Sequence, residues 1–311
     1  MRDMLAGVQV CRSQLVAPLF VRAGHGVRQE IASMPGQFQL SPDTALETAR
    51  QLAGAGIGAV LLFGIPDRKD DTGSEAWDES AAVQSLTRQI KAALPGMLVF
   101  TDVCLCEYTS HGHCGVLKTA ASGQADVDND ATLELLAKVA VSHGRSGADI
   151  VAPSAMMDGQ VRAIRGGLDA ADLAATAILA YSVKFASCMY GPFRDAAGSA
   201  PQSGDRRTYQ MDFRSPAQGA LEAAADLAEG ADMIMVKPAA TYLDVIADMR
   251  RRFDVPLAAY HVSGEYAAIK AAAQRGWLDE KRAALEVTSA IRRAGADIII
   301  TYFAQQLAGW L

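Results

Sequence analysis

Short, almost continuous apolar runs recur along the chain, and amphipathic stretches separate most of them. Eight such runs stand at 15–21, 58–63, 97–102, 149–153, 178–182, 233–237, 257–262 and 298–302. Runs of this length with little polar alternation suit strands buried on both faces, as in a parallel sheet. Between them, 131–141, 217–228, 242–251, 265–274 and 280–293 place apolar residues at helical spacing. One phrase, Gly-Ala-Asp and then an apolar residue, announces three strands, beginning at Gly147, Gly230 and Gly295. Glycine there suits a helix end that needs a left-handed cap, and Gly56 plays a similar part before the second strand.

Eight β-then-α units in 311 residues predict an α/β fold, a (β/α)8 TIM barrel. The barrel is expected to be a single domain over 1–311, with 1–14 as a short N-terminal arm. A doubly wound open sheet is the alternative, because alternation alone does not decide closure. The lack of a Gly-x-Gly-x-x-Gly turn after the first strand counts against the dinucleotide-binding form of that fold. The longest irregular stretches, 65–78, 107–130 and 190–212, are long enough to be functional loops.

Composition narrows the function classes. Half the residues are hydrophobic, 21% are charged and the net charge is −6, as in an ordinary soluble globular protein. No basic block or arginine stripe offers a nucleic-acid surface. No apolar run approaches the ~20 residues of a membrane-spanning helix, and the first residues lack the pattern of a signal peptide. Five cysteines, three of them clustered, fit a metal in a reducing compartment, so a cytoplasmic protein is expected. Cys11 and Cys188 are expected to be ordinary buried or half-buried thiols.

In such a barrel, chemistry collects at the C-terminal ends of the strands. After the third run, Cys104, Cys106 and Cys114 follow a Cys-x-Cys-x7-Cys spacing. Three thiolates without a fourth sulfur suit a catalytic zinc, which keeps one position open; the plainer reading is a cluster of buried thiols. His111 and His113 lie in the same stretch and could be ligands, proton carriers or loop residues. Lys237 ends the run Met-Ile-Met-Val, where burial would depress its pKa and leave an amine able to attack a carbonyl. Lys184 ends the neighbouring run; either lysine could instead snorkel to solvent. The stretch 190–212 carries Arg194, Arg206 and Arg207 in a Gly/Pro-rich frame. It reads as a lid suited to carboxylates, or as a charged surface loop.

The stretch 102–115, with 181–184, 190–197, 204–212, 235–238, 262–266 and 300–303, resembles the porphobilinogen synthase (5-aminolevulinate dehydratase) family, its motifs in order from about residue 18 to residue 311. The resemblance implies a (β/α)8 barrel, usually a homo-octamer, that condenses two 5-aminolevulinate molecules to porphobilinogen with loss of two waters. It implies that Lys237 forms the Schiff base in the propionate-side site and Lys184 in the acetate-side site. Cys104, Cys106 and Cys114 would hold the catalytic zinc. Arg194, Arg206, Gln210, Ser263 and Tyr302 would hold substrate carboxylates, and Asp102 and Ser154 would line the acetate-side site. Glu222 matches a position that in part of the family helps hold an allosteric magnesium.

This chain departs from the family pattern at Ala155, where an aspartate is usual, at Gln39 for an arginine and at Ala17 for a tyrosine. Its arm is short and lacks the usual arginine-rich start, which bears on both the octamer and the magnesium response. Three functions therefore stand side by side: a zinc porphobilinogen synthase of tetrapyrrole synthesis; a diverged relative that condenses 5-aminolevulinate or a related aminoketone differently; and a weak homologue kept for binding or regulation. The complete set of two lysines and three cysteines argues against the last.

Overall fold

The structure, a computed structural model, describes residue 1 and residues 3–119 and 125–311. Twelve strands follow in chain order: β1 Leu15–Arg22, β2 Arg28–Glu30, β3 Phe38–Leu40, β4 Ala59–Ile65, β5 Leu98–Val103, β6 Leu117–Thr119, β7 Ala125–Val127, β8 Ile150–Pro153, β9 Ala177–Lys184, β10 Met233–Lys237, β11 Leu257–His261 and β12 Ile298–Thr301. Ten α-helices among the described residues alternate with them: α1 Pro42–Gly54, α2 Ala82–Ala93, α3 Asn129–Arg145, α4 Gln160–Ala170, α5 Gly191–Ala197, α6 Pro216–Glu229, α7 Leu243–Arg252, α8 Ser263–Gln274, α9 Glu280–Ala294 and α10 Ala304–Trp310.

The parallel strands pair in the order β1-β4-β5-β8-β9-β10-β11-β12. β12 then pairs with β1, at Leu15↔Ile299 and Val16↔Ile300, which closes the cylinder. Closure removes both sheet edges, so the barrel stands and the open-sheet alternative falls. Each of the eight sequence runs coincides with a barrel strand, offset by at most two residues at either end. They were legible because both faces are buried: β8 reads buried throughout, and so does β11.

The Gly-Ala-Asp phrase serves the lower rim. Gly147, Gly230 and Gly295 have φ of 96°, 107° and 122°, positive as a cap requires. The aspartate after each then clasps the neighbouring strand. Asp149 accepts the Val99 N–H at 2.8 Å, Asp232 that of Ile178 at 2.8 Å, and Asp297 that of Leu257 at 3.1 Å. Each aspartate's own N–H returns a bond to the same residue's carbonyl.

Two antiparallel pairs among the described residues, β2–β3 and β6–β7, were not expected; three-residue strands carry too little pattern to read. The stretch 190–212 is not irregular throughout, since it contains α5. Residues 120–124 of the expected loop 107–130 lie outside the described residues. The arm 1–14 holds two 3-10 turns, with Met4 and Leu5 exposed.

Candidate active site

The upper rim gathers most of the expected residues around one chamber. It is lined by Cys106, Glu107, Ser154, Lys184, Arg206, Gln210, Lys237, Ser263 and Tyr302, with Phe63, Tyr190, Phe193, Tyr260 and Val262 as apolar walls. An irregularity in β9 helps bring the two lysines together. Ile234 pairs with Ala180 but Val236 pairs with Val183, so β9 carries one extra residue. Such a bulge re-aims the side chains that follow it. Tyr181 and Lys184, three apart, therefore both face inward, while Val183 meets α6 at Gly219. Lys184 then pairs directly with Lys237 across the two strands.

Lys237 is 7% exposed, and its Nζ sits among four rings. The ring centres lie at 4.3 Å for Tyr260, 4.8 Å for Tyr181, 5.4 Å for Tyr190 and 5.6 Å for Phe193. Burial, and then the charge of Lys184, pulls its pKa down to about 7. The buried Lys184 donates from Nζ to the Ser154 carbonyl at 2.5 Å. Ser154 Oγ in turn donates to Asp102 Oδ2 at 3.0 Å. Burial and the Glu107 charge push the Asp102 carboxyl up to about 7, against the pull of the two lysines.

Facing the lysines, the loop after β5 buries Cys104, Cys106 and Cys114, and their sulfurs lie within 4.8 Å of one another. Cys104 and Cys106 sulfurs are 3.5 Å apart. A tetrahedral ion with bonds of ~2.3 Å spaces its sulfurs by about 3.8 Å, so this soft donor set fits a zinc-like ion. Burial raises the Cys104 thiol, whereas hydrogen bonds from Cys104 and Cys106 hold Cys114 well below the usual thiol range. Neither His111 nor His113 joins that cluster among the described residues. His113 ties the loop to 190–212, with Nε2 at 2.9 Å from the Ser203 carbonyl and Nδ1 at 3.1 Å from the Tyr209 hydroxyl.

The arginines differ from one another. Arg206 is buried at the chamber wall, where its guanidinium donates to the carbonyls of Gly112, at 2.8 Å, and Ser199. Arg194, on α5, is half-buried but does not line the chamber. Arg207 is exposed and pairs with Asp205. The donors Arg194 Nε, Arg206 Nε and Gln210 Nε2 are buried without a partner among the described residues, and buried donors normally have one. Phe193 seats α5 on the barrel: its ring packs on Phe63 at 4.9 Å, and its N–H donates to Ser263 Oγ at 3.0 Å.

Several expectations meet other surroundings. Glu222 lies on α6, away from the chamber, within 3.4 Å of Gln218, and it joins no metal-ligand cluster among the described residues. Cys11 and Cys188 are exposed rather than buried or half-buried: Cys11 precedes a 3-10 turn in the arm, and Cys188 opens one. Ala155 is fully buried in the apolar cluster that holds the three cysteines. Glu107, Tyr260 and Phe193 were missed; a carboxylate inside the cysteine stretch reads as spacer, an aromatic in a strand such as Tyr260 reads as core, and Phe193 on α5 stands among charged and small residues that draw the reading first.

A closed (β/α)8 barrel with two lysines buried side by side in one chamber, and a trio of buried thiols in the loop after β5, puts the chain in the class of (β/α)8-barrel enzymes. The profile of the delta-aminolevulinic acid dehydratase family matches residues 1–310, and the chain belongs to that family of dehydratases. The delta-aminolevulinic acid dehydratase of Synechococcus elongatus is 50% identical over 312 residues, covering 100% of this chain and 95% of that one. That of Synechocystis sp. is 49% identical at the same coverage. Among solved structures, delta-aminolevulinic acid dehydratase (porphobilinogen synthase) from Toxoplasma gondii ME49, in complex with its reaction product porphobilinogen, superposes with a TM-score of 0.96 at 44% identity. It covers 100% of this chain and 88% of that one.

Proposed function

We propose that this chain condenses two 5-aminolevulinate molecules to porphobilinogen, with loss of two waters, in tetrapyrrole synthesis. The observation that carries the reading is the lysine pair: Lys184 and Lys237 stand in direct register on adjacent strands, both buried in one chamber. The substrate is a ketone with a carboxylate at one end and an amine at the other. Lys237, with a pKa near 7, has a substantial neutral fraction at neutral pH. Its Nζ attacks the ketone carbon, the carbonyl oxygen leaves as water, and an imine remains. Lys184 does the same for the second molecule. Asp102 and Ser154 orient Lys184 through the chain of hydrogen bonds from Oδ2 to the Ser154 backbone.

Arg206, Gln210, Ser263 and Tyr302 are the substrate carboxylate contacts of this reading. Arg194, which stands outside the chamber lining on α5, is the further carboxylate contact that the family resemblance implies. Cys104, Cys106 and Cys114 would hold zinc, which when bound supplies a Lewis acid at an open coordination position. A magnesium ion at Glu222, a homo-oligomeric assembly and a cytoplasmic location complete the proposal. Among the described residues no helix is long and apolar enough to cross a membrane, and the clustered thiols suit a reducing compartment.

Incubating the purified protein with 5-aminolevulinate tests it. Porphobilinogen, identified by mass and by its colour with an aldehyde reagent, is the expected product; chelation abolishes its formation and zinc restores it. Ala155 favours a second reading, a different condensation product from the same chamber. A product of another mass would establish that one instead.

A further inference from the structure

We infer that Glu107 is a specificity residue of the chamber, which with Asp102 receives the amino group of a bound aminoketone. The inference rests on the function proposed above and extends it to a residue with no role so far. Lys184, Lys237 and Arg206 line the chamber and suit a ketone and a carboxylate. A ligand that is also an amine needs acceptors, which Glu107 and the neighbouring Asp102 supply.

Glu107 is 3% exposed and lines the chamber. Its side-chain contact there is weak, Oε2 at 3.3 Å from Cys106 Sγ. One oxygen each of Asp102 and Glu107 and the sulfur of Cys104 lie within 4.8 Å of one another. Asp102 Oδ1 is buried and closes no hydrogen bond among the described residues. Among the described residues neither carboxylate belongs to an ion pair.

Lys184, Lys237 and Arg206 act on these carboxylates only from beyond ion-pair distance, so two carboxylates held this close together gain from a ligand that brings a cation into direct contact. An ammonium group carries three donors and one positive charge, enough to satisfy both. Position 155 cannot take that part here, because Ala155 presents only a methyl group. Glu107 thus supplies, from the cysteine loop, an acceptor that the neighbouring strand end lacks.

The test compares two probes that differ only in the amine: 5-aminolevulinate and levulinate, the same keto acid without the amino group. Binding to the zinc-loaded protein is measured for the unaltered chain, Glu107→Gln and Glu107→Asp. Losing a charge-assisted hydrogen bond weakens a ligand by about 10- to 100-fold. Glu107→Gln is expected to weaken 5-aminolevulinate by that factor and levulinate by less than about twofold. Glu107→Asp, which keeps the carboxylate, should recover part of the loss, and it keeps the test open if the glutamine variant does not fold.

Equal weakening of both probes, or of neither, would overturn the inference. So would a fall in zinc affinity, measured by chelator competition, with the ratio of the two probes unchanged; Glu107 would then serve the metal. A failure of the underlying function is seen separately, because the unaltered chain would then give no borohydride-stable adduct with either probe.

Discussion

At the residue scale the decisive group is the Lys237 amine. Four rings surround it and Lys184 stands beside it, so its proton is held less firmly than in water. The groups that act on it are Lys184, which lowers its pKa, and Asp102, Glu107 and Cys106, which raise it. Burial prevails, and the value falls from 10.5 to about 7. The sign follows directly. The unfolded lysine binds a proton up to 10.5, so burying the charged form costs most below about 7, and the cost fades as pH rises from there to 10.5. Reactivity follows the same curve. Imine formation with 5-aminolevulinate, measured as the rate of borohydride-stable adduct, is expected to rise with pH around a midpoint near 7. It should be about tenfold faster at pH 8 than at pH 6. A midpoint near 10 would mean that the amine is not desolvated when it reacts.

At the scale of elements, the lower rim and the upper rim do different work. The clasps of Asp149, Asp232 and Asp297 hold strand beginnings, far along the strands from the chamber. Asp149 also pairs with Lys91 at 2.9 Å. Replacing Asp149 with alanine leaves the Val99 N–H without that acceptor. Stability is expected to fall by about 1–3 kcal/mol, read as a lower midpoint in urea, with KM for 5-aminolevulinate unchanged. A change in KM without a loss of stability would contradict this division. The phrase Gly-Ala-Asp was legible in the sequence as a helix end, because glycine signals a positive φ. The clasp by its aspartate was not, since the partner lies about 40 to 54 residues away. The β9 bulge was equally hidden. Ala-Ile-Leu-Ala-Tyr-Ser-Val-Lys is nearly all apolar, so no alternation marks where the register shifts. The lysines themselves were legible because each is a lone charge closing an apolar run. The arginines of 190–212 were legible only as a group, because separating the buried Arg206 from the exposed Arg207 depends on contacts with Gly112 and Ser199.

On the scale of the whole molecule, closure between β12 and β1 lets residues from seven strands and the segments after them share one mouth. The loop of the three cysteines and the segment 190–212 are stitched together through His113 and Arg206. The part that fits a metal and the part that covers the chamber therefore form one structure. Outside the barrel, Met4 is 88% exposed and Leu5 is 78% exposed. Apolar side chains so exposed suit a surface that another copy covers. Light scattering is expected to give a mass of more than one chain, and a monomer at all concentrations would contradict the homo-oligomer. Lys237 as the nucleophile for the ketone is tested by treating the protein with 5-aminolevulinate and borohydride and mapping the modified peptide by mass. A reduced adduct is expected on the peptide that contains Lys237, lost in Lys237→Ala; an unmodified Lys237 in protein that still makes product would rule that role out.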